Sequence, residues 1–187
     1  MASVSASWRI DKFVRRLGST EPAPGGGSAA AVAGALGVAL IVKVVKILLF
    51  RPRLLSSTKQ RLKITLRILD KESARFLKLV REDAEAYKAL VTAQRKGRGL
   101  LQAKVRATQA PIDICVMAVD ALNFVKVVVP LAGPYLGSDL KAARVLLKGA
   151  FDAAFLMANI NLQGSGPAAR NLQRKCLIDL QKKMRSL

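Results

Sequence analysis

The chain contains no histidine, and among its 187 residues it has only two cysteines, nine aromatic residues and twelve carboxylates. Without histidine, Ser-His-Asp and Cys-His nucleophilic systems are excluded, and so are zinc sites that use imidazole. Cys115 and Cys176 stand far apart without a CxxC pairing, so they cannot form a four-thiolate metal site. They read as two lone apolar thiols, compatible with a reducing compartment. With aromatics at 5% and hydrophobic residues at 51%, the core must be built from small and aliphatic side chains. That composition suits close helix packing better than a β-sandwich. No convincing run of alternating polar and apolar residues marks a strand.

Positive charge is abundant. Thirty-two Lys and Arg give a formal net charge of +20. Such a balance attracts polyanions, whether nucleic acid, an anionic membrane surface or a polycarboxylate ligand, and does not choose among them. The first residues carry Arg9, Asp11 and Lys12 where a secretory signal would be apolar, so no such signal is expected. The most apolar stretch, Ala29 to Phe50, is interrupted by Lys43 and Lys46 and rich in alanine and glycine. It reads as a buried helix and not as a transmembrane segment.

Periodicity predicts an all-α chain, residues 1–187 forming one bundle of five or six helices around a central apolar helix. A first amphipathic helix is expected from about Ser7 to Leu17, with Ile10, Phe13, Val14 and Leu17 on one side. A Pro- and Gly-containing loop, 18–27, precedes the central helix, Ser28 to about Phe50. Ser56, Ser57 and Thr58 offer caps for a third helix reaching about Gln94. A fourth, about Leu100 to Val129, holds Pro111, which should kink or split it. Pro130, Gly133, Pro134 and Gly137 then predict a loop, Ser138-Asp139 a cap for a fifth helix to about Leu162, and 164–167 a break before a last basic helix.

Within this outline a few residues can carry chemistry. Pro24-Gly25-Gly26-Gly27-Ser28 gives a side-chain-free approach to a helix start, with Ser28 in the position of an N-cap. It serves either tight packing or an anion or electron-rich ligand at the helix dipole. Asp83, in Asp83-Ala84-Glu85-Ala86-Tyr87, lies on the apolar side of the third helix, one turn from Tyr87. It is either a salt-bridged surface group or a desolvated carboxylate suited to acid–base work. Asp139 can cap its helix or line a site, and Asn159 and Asn161 can bond a ligand or terminate theirs.

Taken in order, Glu21 to Ala30, Asp83-Ala84-Glu85-Ala86-Tyr87, Pro111, Ser138-Asp139 and Ile160-Asn161-Leu162 resemble the cyclodeaminase domain of the formiminotransferase-cyclodeaminase family and its methenyltetrahydrofolate cyclohydrolase relatives. The resemblance covers essentially the whole chain. Where that family has a Thr-Gly-basic turn after the apolar helix, this chain has Lys46 to Pro52, and its 133–137 loop lacks the family's asparagine.

The resemblance implies an all-α homodimer with folate bound near the subunit interface. It implies acid–base chemistry at the N5/N10 one-carbon bridge of tetrahydrofolate: ring closure of the formimino form with loss of ammonia, or hydrolysis of the methenyl bridge. Asp83 would be the acid–base residue. Gly25, Gly26, Gly27 and Ser28 would shape the pterin pocket, and Ser138 with Asp139 would line it. No metal and no cofactor beyond the tetrahydrofolate substrate are expected, and the compartment implied is the cytoplasm. Basic side chains would then attract the glutamate tail of a polyglutamylated folate. The competing expectation is an inactive basic bundle that binds nucleic acid or an acidic partner, disfavoured by the missing aromatic platforms. A peripheral membrane role through a terminal amphipathic helix ranks third.

Overall fold

A computed structural model describes residues 9–163 and 167–187, with side chains omitted over 164–169. The predicted start of the first helix at Ser7 and most of the 164–167 break lie outside the described residues. Among the described residues every regular element is a helix: α1 (Ile10–Leu17), α2 (Gly26–Leu49), α3 (Ser56–Lys96), α4 (Leu100–Leu162) and α5 (Pro167–Arg185).

The central position expected of α2 follows from its composition. It is apolar around most of its circumference, and Val38, Ile41, Val44, Val45 and Leu48 are all fully buried. It runs antiparallel to α3, with Gly34 against the Phe76 ring, where even a methyl group would sit 2.3 Å from Cε1. By length and composition α2 and α4 could each cross a membrane, but half of each apolar stretch is already buried inside the chain, as in core helices.

The expected fourth and fifth helices are both present, but the eight-residue loop between them is not. They are limbs of α4, 100–132 and 134–162, and only Gly133 between them leaves helical geometry, with φ 69° and ψ 178°. That conformation is open to glycine and hardly to any other residue. At this point the chain folds back on itself. Cys115 on the first limb meets the Phe151 carbonyl on the second at 3.6 Å, and Asn161 reaches the Ala107 carbonyl at 2.9 Å. Pro134 opens the second limb, where a missing N–H costs nothing. Arg51 closes the first limb by donating to the carbonyls of Leu131 and Ala132 at 2.8 and 3.0 Å. A guanidinium at a helix C-terminus is favourable both as a donor and as a charge. The 46–52 segment that departs from the family pattern thus contains the residue that holds the turn.

Pro111 does not split α4: the backbone stays helical there, and Gly133 is the one residue inside the helix that leaves helical geometry. A proline at 111 leaves the carbonyl at 107 without its helical donor, and the Asn161 amide occupies that acceptor. Asn161 therefore ties the two limbs together. Cys115 is buried as expected, and burial, with Cys176 and Asp152 nearby, pushes its thiol up to about 12; Cys176 is partly exposed.

Candidate active site

The glycine-rich segment enters α2 one step earlier than expected. Gly25 is the N-cap, extended at φ −131° and ψ −157° and without a side chain to offer. Ser28 is not the cap but the third helical residue, and it is completely buried. Its hydroxyl turns away from its own helix start and donates to Asp83 Oδ2 at 2.8 Å, with the Val80 carbonyl a second acceptor at 3.2 Å. The backbone N–H of Ser28 also bonds the Asp83 carboxylate. The cap missing from the local sequence is thus supplied by a carboxylate 55 positions further on.

Gly27 makes this approach possible. A Cβ there would lie 2.1 Å from Asp83 Oδ1 and 2.6 Å from its Cγ. Three influences act on the Asp83 proton. Burial raises its pKa above the ordinary carboxylate value, and the Ser28 side-chain and backbone hydrogen bonds pull it back down; burial wins and the net direction is upward. Tyr87, one turn on, is exposed. Asp83 itself lies where α3 packs against Gly27 and Ser28 at the start of α2.

Neighbouring charges are consumed in bracing the helices. Arg75 on α3 binds Glu82 through both carboxylate oxygens at 2.8 and 2.7 Å and reaches Asp113 on α4 at 2.8 Å. Gln109 holds the other Asp113 oxygen at 2.7 Å. Asp83 stands outside this network, with Ser28 as its only hydrogen-bonded side chain among the described residues.

Gly26 rests against Met157 of α4, and a Cβ added at Gly25 would meet nothing within 4 Å beyond its own chain neighbours. Gly25, Gly26, Gly27, Ser28 and Asp83 therefore gather at one end of the bundle, where α2 begins. Ser138 and Asp139 do not join them within one chain. The Ser138 hydroxyl donates to the Tyr135 carbonyl inside the second limb of α4 instead of capping a helix. Asp139 pairs with Lys43 at 2.9 Å, raising the lysine pKa. Lys43 lies sixteen residues beyond Gly27 on α2, or about 24 Å along the axis at the α-helical rise.

Of the two late asparagines, Asn161 is committed to the Ala107 carbonyl. Asn159 bonds back to the Phe155 carbonyl at 2.8 Å and lines a cavity at the end of α4. Glu72 on α3, which the sequence did not single out, is a partly buried carboxyl. Burial first and the charge of Asp120 second raise its pKa from 4.5 to about 7. Its signal in the sequence was only an acidic residue one turn before the buried Phe76.

The family model described as Formiminotransferase-cyclodeaminase matches residues 9–168. A methenyltetrahydrofolate cyclohydrolase of Methylorubrum extorquens is 24% identical over 166 residues, covering 83% of this chain and 79% of that protein. The crystal structure of a formiminotetrahydrofolate cyclodeaminase from Thermotoga maritima superposes with a TM-score of 0.90 at 19% identity, over 96% of this chain and 91% of the other.

Proposed function

The chain belongs to the formiminotransferase-cyclodeaminase family, and from that membership we propose that it is a folate enzyme acting at the N5/N10 bridge of tetrahydrofolate, with Asp83 moving the proton. The reaction is hydrolysis of the 5,10-methenyl bridge or closure of the 5-formimino group with loss of ammonia. The observation that carries this reading is the Ser28–Asp83 arrangement. Burial raises this carboxylate while a hydroxyl and a backbone N–H hold its anion, the combination of opposed influences suited to an acid–base group. In hydrolysis, the ionised carboxylate takes a proton from the water that adds to the bridge carbon and returns it to the nitrogen released. In ring closure, the nitrogen that attacks the formimino carbon gives up a proton and the departing ammonia takes one. Neither sequence needs a second acid–base side chain. The open space beside Gly25 leaves room for a flat ring at the helix start.

The proposal includes a homodimer. Leu36 on α2 and Val145, Leu156 and Ile160 on the second limb of α4 are exposed, with open Gly149 between them. The interface proposed is the face that these side chains would share along two antiparallel helices. A two-fold axis across that face inverts one copy against the other, so the partner's Ser138 and the partner's Asp139 approach the Asp83 end. The pocket would then be completed across the interface, in the cytoplasm where reduced folates are used.

The deciding experiment follows the absorbance of 5,10-methenyltetrahydrofolate, and separately its formation from the 5-formimino compound, with wild type and Asp83→Asn. Wild type turns over at least one substrate, and Asp83→Asn, still folded, loses at least about 100-fold. Full activity in the variant removes the role of Asp83. For the shared pocket, Asp83→Asn and Asp139→Asn are each inactive alone and regain activity in mixed dimers; failure to complement refutes the shared site.

A further inference from the structure

Along α3 the charges change character after Lys71. Beyond it the cations are spent on carboxylates: Arg75 pairs with Glu82 and Asp113, Lys78 with Glu82 and Arg81 with Glu85. From Ser56 to Lys71 five cations, Lys59, Arg61, Lys63, Arg67 and Lys71, stand against a single acid, Asp70. Among the described residues none of the five is in an ion pair. The same stretch exposes aliphatic side chains that the core does not take. Ile64 and Ile68, one turn apart, are 50% and 39% exposed, whereas Leu62 and Leu69 on the other side of the helix are buried. Arg61, Arg67 and Lys71 are exposed, and their i, i+3 and i+4 spacing puts them on the isoleucines' face. The turn leading into α3 adds Phe50 and Leu55, 88% and 72% exposed, beside Arg53.

We propose that the outer face of α3 from Arg61 to Lys71, with the turn before it, is a docking surface for an anionic phospholipid bilayer. An aliphatic stripe flanked by cations, with no aromatic among them, offers nucleic-acid bases no stacking platform. It matches a surface whose anions lie in one plane with hydrocarbon beneath. Long basic side chains reach the headgroup phosphates while the isoleucines enter the acyl boundary. The surface is carried by α3 and not by the α2 and α4 positions given to the dimer, and it does not depend on the folate reading. Each cation close to an anionic leaflet strengthens binding about fivefold, and the attraction fades within a Debye length of about 8 Å at physiological salt. The +20 charge of the chain draws the protein towards such a surface, and the exposed aliphatics decide which face lands.

The test is co-sedimentation with vesicles of phosphatidylcholine alone and of phosphatidylcholine mixed with phosphatidylserine. Wild type sediments with the anionic vesicles only, and less so as salt rises. Arg61→Glu/Arg67→Glu lowers that binding at least about tenfold, and Ile64→Ser/Ile68→Ser lowers it about tenfold while keeping the salt dependence. Arg95→Glu/Lys96→Glu removes the same charge at the far end of α3, where both side chains are also exposed, and should retain most of the binding. An equal loss in that control assigns the effect to net charge and overturns the surface. So do failure to bind anionic vesicles and equal binding to neutral ones. Homopolymer RNA held through Arg61 and Arg67 without any vesicle binding would give the face to nucleic acid instead. Lysine acetylation on wild type needs no variant: anionic vesicles should slow modification of Lys71 several-fold and leave Lys96 unchanged. Equal rates at Lys71 with and without vesicles overturn the proposal.

Discussion

Replacing Gly27 by alanine tests the site at the point where fold and chemistry meet. The new methyl carbon would stand 2.1 Å from Asp83 Oδ1, 2.6 Å from Cγ and 2.9 Å from Oδ2. Ordinary contact needs more than an additional ångström, and the short aspartate side chain has little freedom to give it. The carboxylate must withdraw, and the 2.8 Å bond from the Ser28 hydroxyl is lost or lengthened. Charge-assisted hydrogen bonds of this kind contribute about 1.5–3 kcal/mol, and overpacking costs about 1–3 kcal/mol. Alanine returns up to about 1 kcal/mol through helix propensity. The net expectation is a loss of about 2–4 kcal/mol, or roughly 5–15 °C in Tm for a chain of this size.

Turnover should fall further than stability, because displacing a reacting group by about 1 Å can cost on the order of 100-fold. Thermal unfolding and methenyltetrahydrofolate absorbance, measured on the same preparation, separate the two effects. Gly25→Ala is the control for stability: its added carbon meets nothing within 4 Å and its φ of −131° suits alanine. A Gly27→Ala protein with wild-type Tm and wild-type turnover would refute both the close approach and its importance.

Two further perturbations test the fold independently of folate. Asn161→Ala strips the amide from the Ala107 carbonyl and should cost about 1–2 kcal/mol in urea unfolding. Adding Pro111→Ala restores a helical N–H to that carbonyl, so the double variant should recover at least half of the loss; strict additivity would break the link. Glu72 tests pH dependence. Its folded pKa of about 7 lies above the ordinary 4.5, so its contribution is fully present below pH 4.5 and is lost as pH rises through about 7. Glu72→Gln, which cannot ionise, should therefore gain on wild type between those values. The full shift corresponds to roughly 3 kcal/mol, which partial solvation reduces to about 1–2 kcal/mol. A stability difference that is the same at pH 5 and pH 8 would contradict it.

Helix content and order were legible because α2 is apolar on nearly every side and α3 repeats its buried positions Leu62, Leu69, Phe76 and Val80 at helical spacing. What the pattern could not show was how helices end when another element supplies the ending. Pro130, Gly133, Pro134 and Gly137 read as a loop because each disfavours a helix interior. The turn shrinks to Gly133 because Pro134 suits a helix start and Arg51, some eighty residues earlier, caps the preceding limb. Pro111 read as a break for the same reason, since the amide that takes over its missing bond lies on the other limb. Asp83 and the glycine-serine segment were recognisable as a pair only by resemblance. Spacing alone left the aspartate open between surface and site, and Ser138-Asp139 was grouped with them although one chain holds them at opposite ends of α2.

Ser28 shows why the local reading erred and what the actual arrangement contributes. A serine after three glycines suits an N-cap, but a self-capped α2 would leave Asp83 facing a filled helix start with no donor to hold it. By leaving Gly25 at the cap position, the chain keeps amide hydrogens available at the positive end of the dipole, and Asp83 takes the place of the missing cap. The same packing that buries the carboxylate and raises its pKa thus supplies the donors that lower it. A surface aspartate would be stabilised as the anion, and one buried without donors would stay protonated. Asp83 is held between those limits, which is what the proposed proton transfer requires of it, and a change that relieves either side, at Gly27 or at Ser28, should shift that balance before it unfolds the bundle.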